Sequence, residues 1–459
     1  MIKKPPRHQL SKTTFMYGCQ CPKRLWLNKF MPTAKDEPDE AQTAIFQGGT
    51  NVGLLAQQRF PNGVDASPET YFEYQKSVVK TAELIEADET IIYEAAFQFN
   101  GVLCAIDILV KENNKWYAYE VKSSTSAKDV YVQDAALQYF VISNAGIELE
   151  DIFILHLNKE YVRYGDLDLN ELFTATSILE NVKGLYQFIK TKIQECKTTL
   201  QNKSEPIIEM GKQCDTPYSC DFMGYCSKNI VEEDEDEIDD NEAYIYKKEL
   251  KACIRNLEYP LYFLDFETWM AAVPEQDGHW SYRQIPFQFS LHIQKEPNAE
   301  VEHFEYLAKN TESSLEDFAN ALLENIGDEG SVIVYNQTFE NMILNQLKND
   351  IEDAKEAIEN IQSRLFDLMY PFRKQYYYTP KMHGSYSIKY VLPALVPELS
   401  YENLLIGNGG DASAAFYNLK NETDETKINE IKEALLTYCK LDTFAMVKIL
   451  EKLNELIST

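Results

Sequence analysis

The chain has 459 residues, with 44 Lys and Arg against 73 Asp and Glu and a formal net charge of −29. That length exceeds one ordinary hydrophobic core and predicts two domains or more, while the charge excludes a protein that coats nucleic acid indiscriminately, because phosphate binding needs a positive face. No stretch has the roughly 18 apolar residues needed to cross a membrane, and the start, MIKKPPRHQL, has no apolar core of a signal peptide, so a cytoplasmic protein without a membrane partner is expected.

Charge is unevenly spread along the chain. Residues 1–35 contain eight Lys or Arg and no acid, and they include CQCPKRLWL with Cys19 and Cys21. Residues 91–122, IIYEAAFQFNGVLCAIDILVKENNKWYAYEVK, read as three strands with polar turns at Asn100-Gly101 and Asn113-Asn114. Asp107 interrupts one apolar strand and Glu120 the next, with Lys122 two residues on. A helix follows, DVYVQDAALQYFVI, carrying Gln138 and Tyr139, and three cysteines, Cys214, Cys220 and Cys226, then cluster in CDTPYSCDFMGYC. Nine unevenly spaced cysteines in a cytoplasmic chain point to a metal site or free core thiols rather than disulfides. Cys104, Cys196, Cys253 and Cys439 have no partner pattern and read as core thiols.

The N-terminal half resembles the RecB-type PD-(D/E)xK nucleases, in which an Asp is followed about a dozen residues later by Glu-x-Lys. The resemblance implies a restriction-endonuclease-like fold over 1–230 in which Asp107 and Glu120 hold a metal ion and Lys122 positions or activates water. One cysteine before this core and three after it resemble the iron-sulfur staple of AddB-type and CRISPR-associated members. Cys21, Cys214, Cys220 and Cys226 would then hold a [4Fe-4S] cluster, with zinc as the competing ligand of four thiolates and Cys19 as an alternative to Cys21. Many members carry a metal-binding His on the first core helix, in Gly-x-x-x-His; here GGTNVGLLAQQ offers Gly53, and Glu94 is a candidate third acid.

Residues 231–242, VEEDEDEIDDNE, hold nine acids and read as the solvated core of a linker placed at 231–256. Beyond it, YPLYFLDFETW reads as a buried strand interrupted by Asp265 and Glu267. Buried charge costs several kcal/mol unless neutralised, and a divalent metal does this best; the alternative is an acidic strand end facing water. PFQFSLHI and VEHFEYL are further strands, predicting an antiparallel hairpin sheet, and a helix is expected at 313–326. SVIVYNQTFENMILNQL is a strand that breaks at Asn336 and runs into a helix carrying Glu340. The acid-free run 368–396 interleaves Arg373, Lys374, Lys381 and Lys389 with Tyr370, Phe372, Tyr376, Tyr377 and Tyr378, a pattern suited to a single nucleic-acid strand or to simple packing. A long amphipathic helix closes the chain, and within it Tyr438 and Asp442 share one face.

This half, 257–459, resembles the DnaQ-type 3′ to 5′ exonucleases of the RNase H-like fold, a mixed sheet flanked by helices. The matching positions are Asp265 and Glu267, then Glu340 after Asn336, then Tyr438 and Asp442. The resemblance implies two Mg2+ or Mn2+ ions held by Asp265, Glu267, Glu340 and Asp442, with Tyr438 orienting or helping to deprotonate water. The second acid is usually Asp in that family, and here it is Glu340. Asp367 reads as a helix cap or a supporting carboxylate, and Lys389 as a phosphate contact or a surface lysine. Together the halves resemble an uncharacterised bacterial family joining a RecB-like iron-sulfur domain to a DnaQ-like domain. The expected activity is a metal-dependent nuclease on single-stranded or frayed DNA, with RNA as an alternative substrate. The other reading is a nucleic-acid-binding protein whose RecB-like half is catalytically idle.

Overall fold

The computed structural model describes residues 5–36, 40–228, 243–401 and 404–458. The chain is mixed α/β and divides into two compact units, Met1–Val231 with Ala271–Arg283, and Glu232–Met270 with Gln284–Thr459. Among the described residues no helix is long and apolar enough to cross a membrane.

Unit 1 begins with β1 (Leu10–Ser11), α1 (Lys12–Gln20), α2 (Pro22–Phe30), α3 (Glu40–Gln58), β2 (Val64–Asp65) and α4 (Tyr74–Glu86). The expected three strands follow as β3 (Ile91–Phe99), β4 (Val102–Glu112) and β5 (Lys115–Lys122), then α5 (Asp129–Asn144) and β6 (Leu149–Leu157). The unit ends with α6 (Leu169–Leu172), β7 (Phe173–Ser177), α7 (Leu179–Gly184), α8 (Tyr186–Gln201) and α9 (Met223–Ser227). The turns joining β3 to β4 and β4 to β5 need left-handed backbone, and the residues there supply it: Asn100 and Gly101 at φ +46° and +69°, Asn113 and Asn114 at +51° and +62°. The sheet runs β2-β3-β4-β5-β6-β7, with β1 added alongside β4. β3, β4 and β5 are antiparallel neighbours, whereas β5 and β6 are parallel, which requires the α5 crossover. Ala135, Ala136, Leu137, Val141 and Ile142 of α5 are buried in the main core of this unit.

The segment Ala271–Arg283 lies in sequence within the second half but belongs to unit 1. Tyr282 donates its hydroxyl to the Ser123 carbonyl at 2.7 Å, Arg163 donates to the Glu275 carbonyl at 2.7 Å, and Asp277 accepts from the Gly165 N–H at 2.7 Å. These hydrogen bonds, together with the packing of Ala272, Val273 and Tyr282 against the core around Ile108 and Leu155, tie the segment down, long-range contacts that the reading of 257–459 as one body did not anticipate.

The acidic run 231–242 lies outside the described residues. The end of the stretch read as linker is ordered structure of unit 2: β8 (Tyr244–Ile245) and α10 (Lys247–Ile254), whose Leu250 and Ile254 are buried. There follow β9 (Leu261–Trp269), β10 (Ile285–Gln294), β11 (Glu302–Leu307), α11 (Leu315–Leu323), β12 (Ser331–Val334), α12 (Gln337–Asp350), α13 (Lys355–Ser363) and β13 (Leu365–Asp367). α14 (Tyr370–Arg373), β14 (Tyr377–Tyr378), α15 (Ile388–Leu395), α16 (Gly409–Asn418) and α17 (Glu425–Ser458) complete it. The main sheet runs β11-β10-β9-β12-β13, antiparallel from β11 to β9 and parallel from β9 to β13. β10 is buried at every position, and its polar Ser290 and His292 both hydrogen-bond Thr443 of α17, at 2.7 and 2.8 Å. Those bonds, with Gln288 donating to the Leu435 carbonyl at 2.9 Å, fix the register of α17 on the sheet.

Candidate metal centres in the two units

In unit 2 the five positions singled out in the sequence converge on one cavity of about 390 Å³, lined by Asp265, Glu267, Glu340, Tyr438 and Asp442. Asp265 and Glu267 come from the central strand β9, opposite Ser290 and Gln288 of β10. Glu340 arrives by the strand break foreseen at Asn336, which adopts φ +78° and turns the chain from β12 into α12. Asp367, last residue of β13, holds that turn by accepting the Asn336 N–H at 3.1 Å and the Met369 N–H at 3.0 Å. It therefore braces the turn that leads into α12 and Glu340.

These carboxylates are poorly compensated. Burial, then Asp442, Glu267 and Glu340, push Asp265 well above the carboxylate range. Burial and Asp442 do the same to Glu267, with Lys389 opposing. Glu340 is 2% exposed, its Oε2 is buried without a hydrogen-bond partner, and burial raises its carboxyl to about 8. Asp442 reaches only about 6, because hydrogen bonds from Tyr401 and Tyr438 and the charge of Lys389 work against its burial. One oxygen each from Asp265 and Glu267 and the sulfur of Cys439 all lie within 4.8 Å of one another, a spacing that a single cation could bridge. The donor set thus fits divalent metal: hard carboxylate oxygens, clustered, buried and in need of positive charge.

Three contributors here carried no clear signal in the sequence. Tyr401 donates to Asp442 Oδ1 at 2.6 Å, from a loop without a motif. Cys439, read as a core thiol, is buried but also reaches Asp265 Oδ2 at 3.6 Å. The Gly409-Gly410 start of α16 lines the cavity, and a Cβ on Gly409 would lie in ordinary contact, 3.4 Å, with Glu267 Oε2. Lys389 donates to the Gly407 carbonyl at 2.5 Å, lies 6.0 Å from the Tyr438 ring centroid and is half-buried. The basic aromatic run is partly taken up by pairing with β8: Tyr377 and Tyr378 of β14 bridge to it, and the Tyr244 and Tyr378 rings stack at 5.4 Å. Tyr244, Tyr246 and Tyr390 remain exposed.

Unit 1 also brings its predicted residues together, but around a different balance of charge. Glu120, 1% exposed on β5, accepts from Lys122 at 2.7 Å and from Lys12 at 2.6 Å on Oε1, and from Gln138 of α5 at 2.5 Å on Oε2. Burial alone would raise Glu120; the ammonium groups of Lys12 and Lys122 override it and hold the carboxyl well below its ordinary value. Asp107 of β4 accepts the Val121 N–H at 2.6 Å and is pushed up by burial and by Glu120. Glu94 sits mid-strand at φ +53°, a left-handed conformation that a glutamate adopts at some cost, and burial followed by Glu120 raises it to about 7. Lys12 and Asp134 were not foreseen. Asp134 was readable in principle, since it lies four residues before Gln138 on the same face of α5. Lys12 was not, because nothing distinguishes it from any lysine at a helix start.

No three of Glu94, Asp107, Glu120 and Asp134 place ligand oxygens within 4.8 Å of one another among the described residues. The four acids of unit 2 meet that spacing only with the Cys439 sulfur as the third group, so what separates the two clusters is the ammonium at 2.6 Å already on Glu120. A Cβ on Gly53, where the histidine of the resembled family is absent, would meet open space. His8 instead lines a cavity of about 190 Å³ with Lys12, Glu94 and Asp107.

Cys21 lies at the junction of α1 and α2, near enough to Cys220 and Cys226 to act on their thiols, and Cys214 acts on Cys226 in turn. Burial followed by Lys23, Cys21 and Cys214 acts on the Cys226 thiol, whose net shift is upward, and Cys220 is raised by burial with Cys21 among its neighbours. Cys220 and Cys226 pack against Trp26, Leu27 and Phe222. Polar ties join the two stretches that carry these thiols: Gln20 donates to the carbonyls of Gln213 and Tyr218 at 2.7 Å, and Arg24 pairs with Asp221 at 2.8 Å. Cys19 faces the other way, into the core beside Cys196, and burial drives its thiol up to about 12. Four partly buried thiols converging from both ends of unit 1 fit a thiolate-bound cluster.

A family model described as a domain of unknown function (DUF2779) matches residues 262–387. That span includes Asp265, Glu267 and Glu340 and ends before Tyr438 and Asp442. The chain is also similar to the uncharacterized protein UU173 of Ureaplasma parvum serovar 3, 24% identical over 241 residues, which is 47% of this chain and 34% of that protein. The chain thus spans about a third of the length of the curated relative it matches.

Proposed function

We propose that unit 2 is a metal-dependent nuclease domain of the DnaQ-like, RNase H-like type that removes nucleotides from the 3′ end of single-stranded or frayed nucleic acid. The observation that carries this reading is the convergence of Asp265, Glu267, Glu340, Tyr438 and Asp442 on one cavity with its carboxylates undercompensated. Asp265, Glu267, Glu340 and Asp442 would hold Mg2+ or Mn2+. Such ions supply charge stabilisation at phosphorus and acidify a bound water. Tyr438 lines the cavity and hydrogen-bonds Asp442, a place from which it would orient or help to deprotonate a water. Tyr401 steadies Asp442, and Lys389, beside Glu267 and Asp442, offers a positive charge to a substrate phosphate. Exposed Tyr244, Tyr246 and Tyr390 are available to stack on bases.

In the same proposal unit 1 is a RecB-like body with a PD-(D/E)xK type of sheet, and Cys21, Cys214, Cys220 and Cys226 hold a [4Fe-4S] cluster that ties its two ends. Zinc fits less well: with Zn–S bonds of about 2.3 Å, four thiolates must approach to within about 4 Å of one another. No three of these sulfurs lie within 4.8 Å of one another among the described residues. The Lys12 ammonium on Glu120 supports the reading of unit 1 as a catalytically idle module that recognises nucleic acid.

The test is a strand-resolved cleavage assay on end-labelled DNA and RNA with Mg2+ or Mn2+. Stepwise shortening from the 3′ end that Asp265→Ala abolishes is the expected result; no shortening of either nucleic acid rejects the reading. Anaerobically purified protein should be brown with broad visible absorbance, and colourless protein with stoichiometric zinc rejects the iron-sulfur assignment.

A further inference from the structure

Glu120 and Asp134 of unit 1 are already supplied with positive charge from within the chain, while Asp107 and Glu94 beside them are not paired with an ammonium among the described residues. β1 pairs with β4 through Leu10 against Val102 and Ser11 against Leu103, so the N-terminal segment is anchored on the strand that carries Asp107. Ser11 then caps α1 reciprocally with Thr14: its N–H donates to the Thr14 hydroxyl at 2.8 Å and its own hydroxyl accepts the Thr14 N–H at 3.3 Å. Lys12 is the first residue after that cap, and the strand pairing and the cap together fix where its side chain starts.

From there the Lys12 ammonium reaches Glu120 Oε1 at 2.6 Å and Asp134 Oδ2 at 3.6 Å. Lys122 reaches the same two oxygens, each at 2.7 Å. Two ammonium groups face two carboxylates, so the formal charge of the quartet is zero. Gln138 fixes the other Glu120 oxygen while also donating to the Ala105 carbonyl at 2.8 Å. An incoming divalent ion would need the Glu120 lone pairs that these donors use, and it would have to settle against two fixed positive charges.

We propose that the Lys12 ammonium is the resident cation of this cluster, taking the place a divalent metal would take, so that the unit 1 centre is closed to metal while Lys12 is in position. The proposal stands on unit 1 alone, and the fate of cleavage by unit 2 does not decide it. Lys12 is then a positioning residue that holds Glu120 and Asp134 in a metal-free arrangement.

The experiment is a Mn2+ titration of the full chain carrying Asp265→Ala and Asp442→Ala, which removes the unit 2 ligands, followed by the paramagnetic resonance of free Mn2+. With Lys12 intact, no bound Mn2+ that Glu120→Gln removes is expected. Adding Lys12→Met, which keeps length and loses charge, should create one site with affinity raised about tenfold or more, and Glu120→Gln should abolish it. Mn2+ bound with Lys12 in place and lost on Glu120→Gln overturns the proposal, as does a folded Lys12→Met protein that gains no site. Should Lys12→Met not fold, acetylation of lysines in the unsubstituted protein, read by mass spectrometry, decides it. Lys12 should label slowly and at the same rate with and without millimolar Mn2+; faster labelling with Mn2+ would mean that the metal displaces it, and contradicts the proposal.

Discussion

Glu120 in unit 1 and Glu340 in unit 2 are both carboxylates sunk beside a sheet, with 1% and 2% exposure, yet they stand in opposite electrostatic states. Glu120 accepts from two lysines and a glutamine and is held well below the carboxylate range. Glu340 keeps a buried oxygen without a partner and is raised to about 8. Burial alone therefore does not separate these two glutamates; the cations around Glu120 do, while Asp107 and Glu94 beside it stay raised as the unit 2 acids are. A chain that carries both arrangements offers its own control, since the same substitution should have different consequences in the two places.

The widest separation is expected in catalysis. Asp265→Ala should lower cleavage by about a thousandfold or more, as several kcal/mol of charge stabilisation is lost, whereas Glu120→Gln should leave the rate within about twofold, a difference below 0.5 kcal/mol. Steady-state cleavage of an end-labelled strand measures both, and equal losses would erase the distinction between the units. Folding stability should separate them in the reverse sense. Glu120→Ala removes the carboxylate that both ammonium groups contact most closely, leaving them Asp134 and the more distant Asp107, and should cost about 3–5 kcal/mol, while Asp265→Asn relieves repulsion and should raise the stability of metal-free protein. Denaturant unfolding of the two variants checks this.

A smaller effect is expected at Tyr401. Tyr401→Phe removes one hydrogen bond to a charged carboxylate, about 1.5–3 kcal/mol, and should slow cleavage about tenfold or somewhat more, with saturating metal restoring part of the loss. The mildest effect is on pH. Folding raises Glu340 from 4.5 to about 8 and Asp442 from 3.8 to about 6, so the folded protein binds protons more readily than the unfolded chain at these groups. Their contribution to stability is then fully present below about pH 4 and is lost as pH rises toward 8. Metal-free protein should show this as a melting temperature that falls across that window, and Mn2+ should restore more of it at pH 8 than at pH 6.

The sequence was most legible where chemistry and secondary structure coincide. Asp265 and Glu267 interrupt an apolar strand, Asn336 is a residue type that tolerates the left-handed turn into α12, and Tyr438 and Asp442 share a helix face by simple periodicity. The asparagine turns at Asn100 and Asn113 were equally readable. What stayed hidden depends on long-range approach without a local pattern. Tyr401 reaches Asp442 across 41 positions, and Lys12 reaches Glu120 across 108. The attachment of Ala271–Arg283 to unit 1 was hidden for a related reason, since hydrogen bonds to carbonyls, such as Arg163 to Glu275, leave no trace in residue pattern.

The account turns on where a divalent ion binds, and counting bound Mn2+ in three full-length proteins tests that most directly. The unsubstituted chain and the Glu120→Gln chain should bind Mn2+ equally, and the Asp265→Ala, Asp442→Ala chain should lose it. Mn2+ that persists without Asp265 and Asp442 but disappears with Glu120→Gln would move the metal centre to unit 1 and contradict the account.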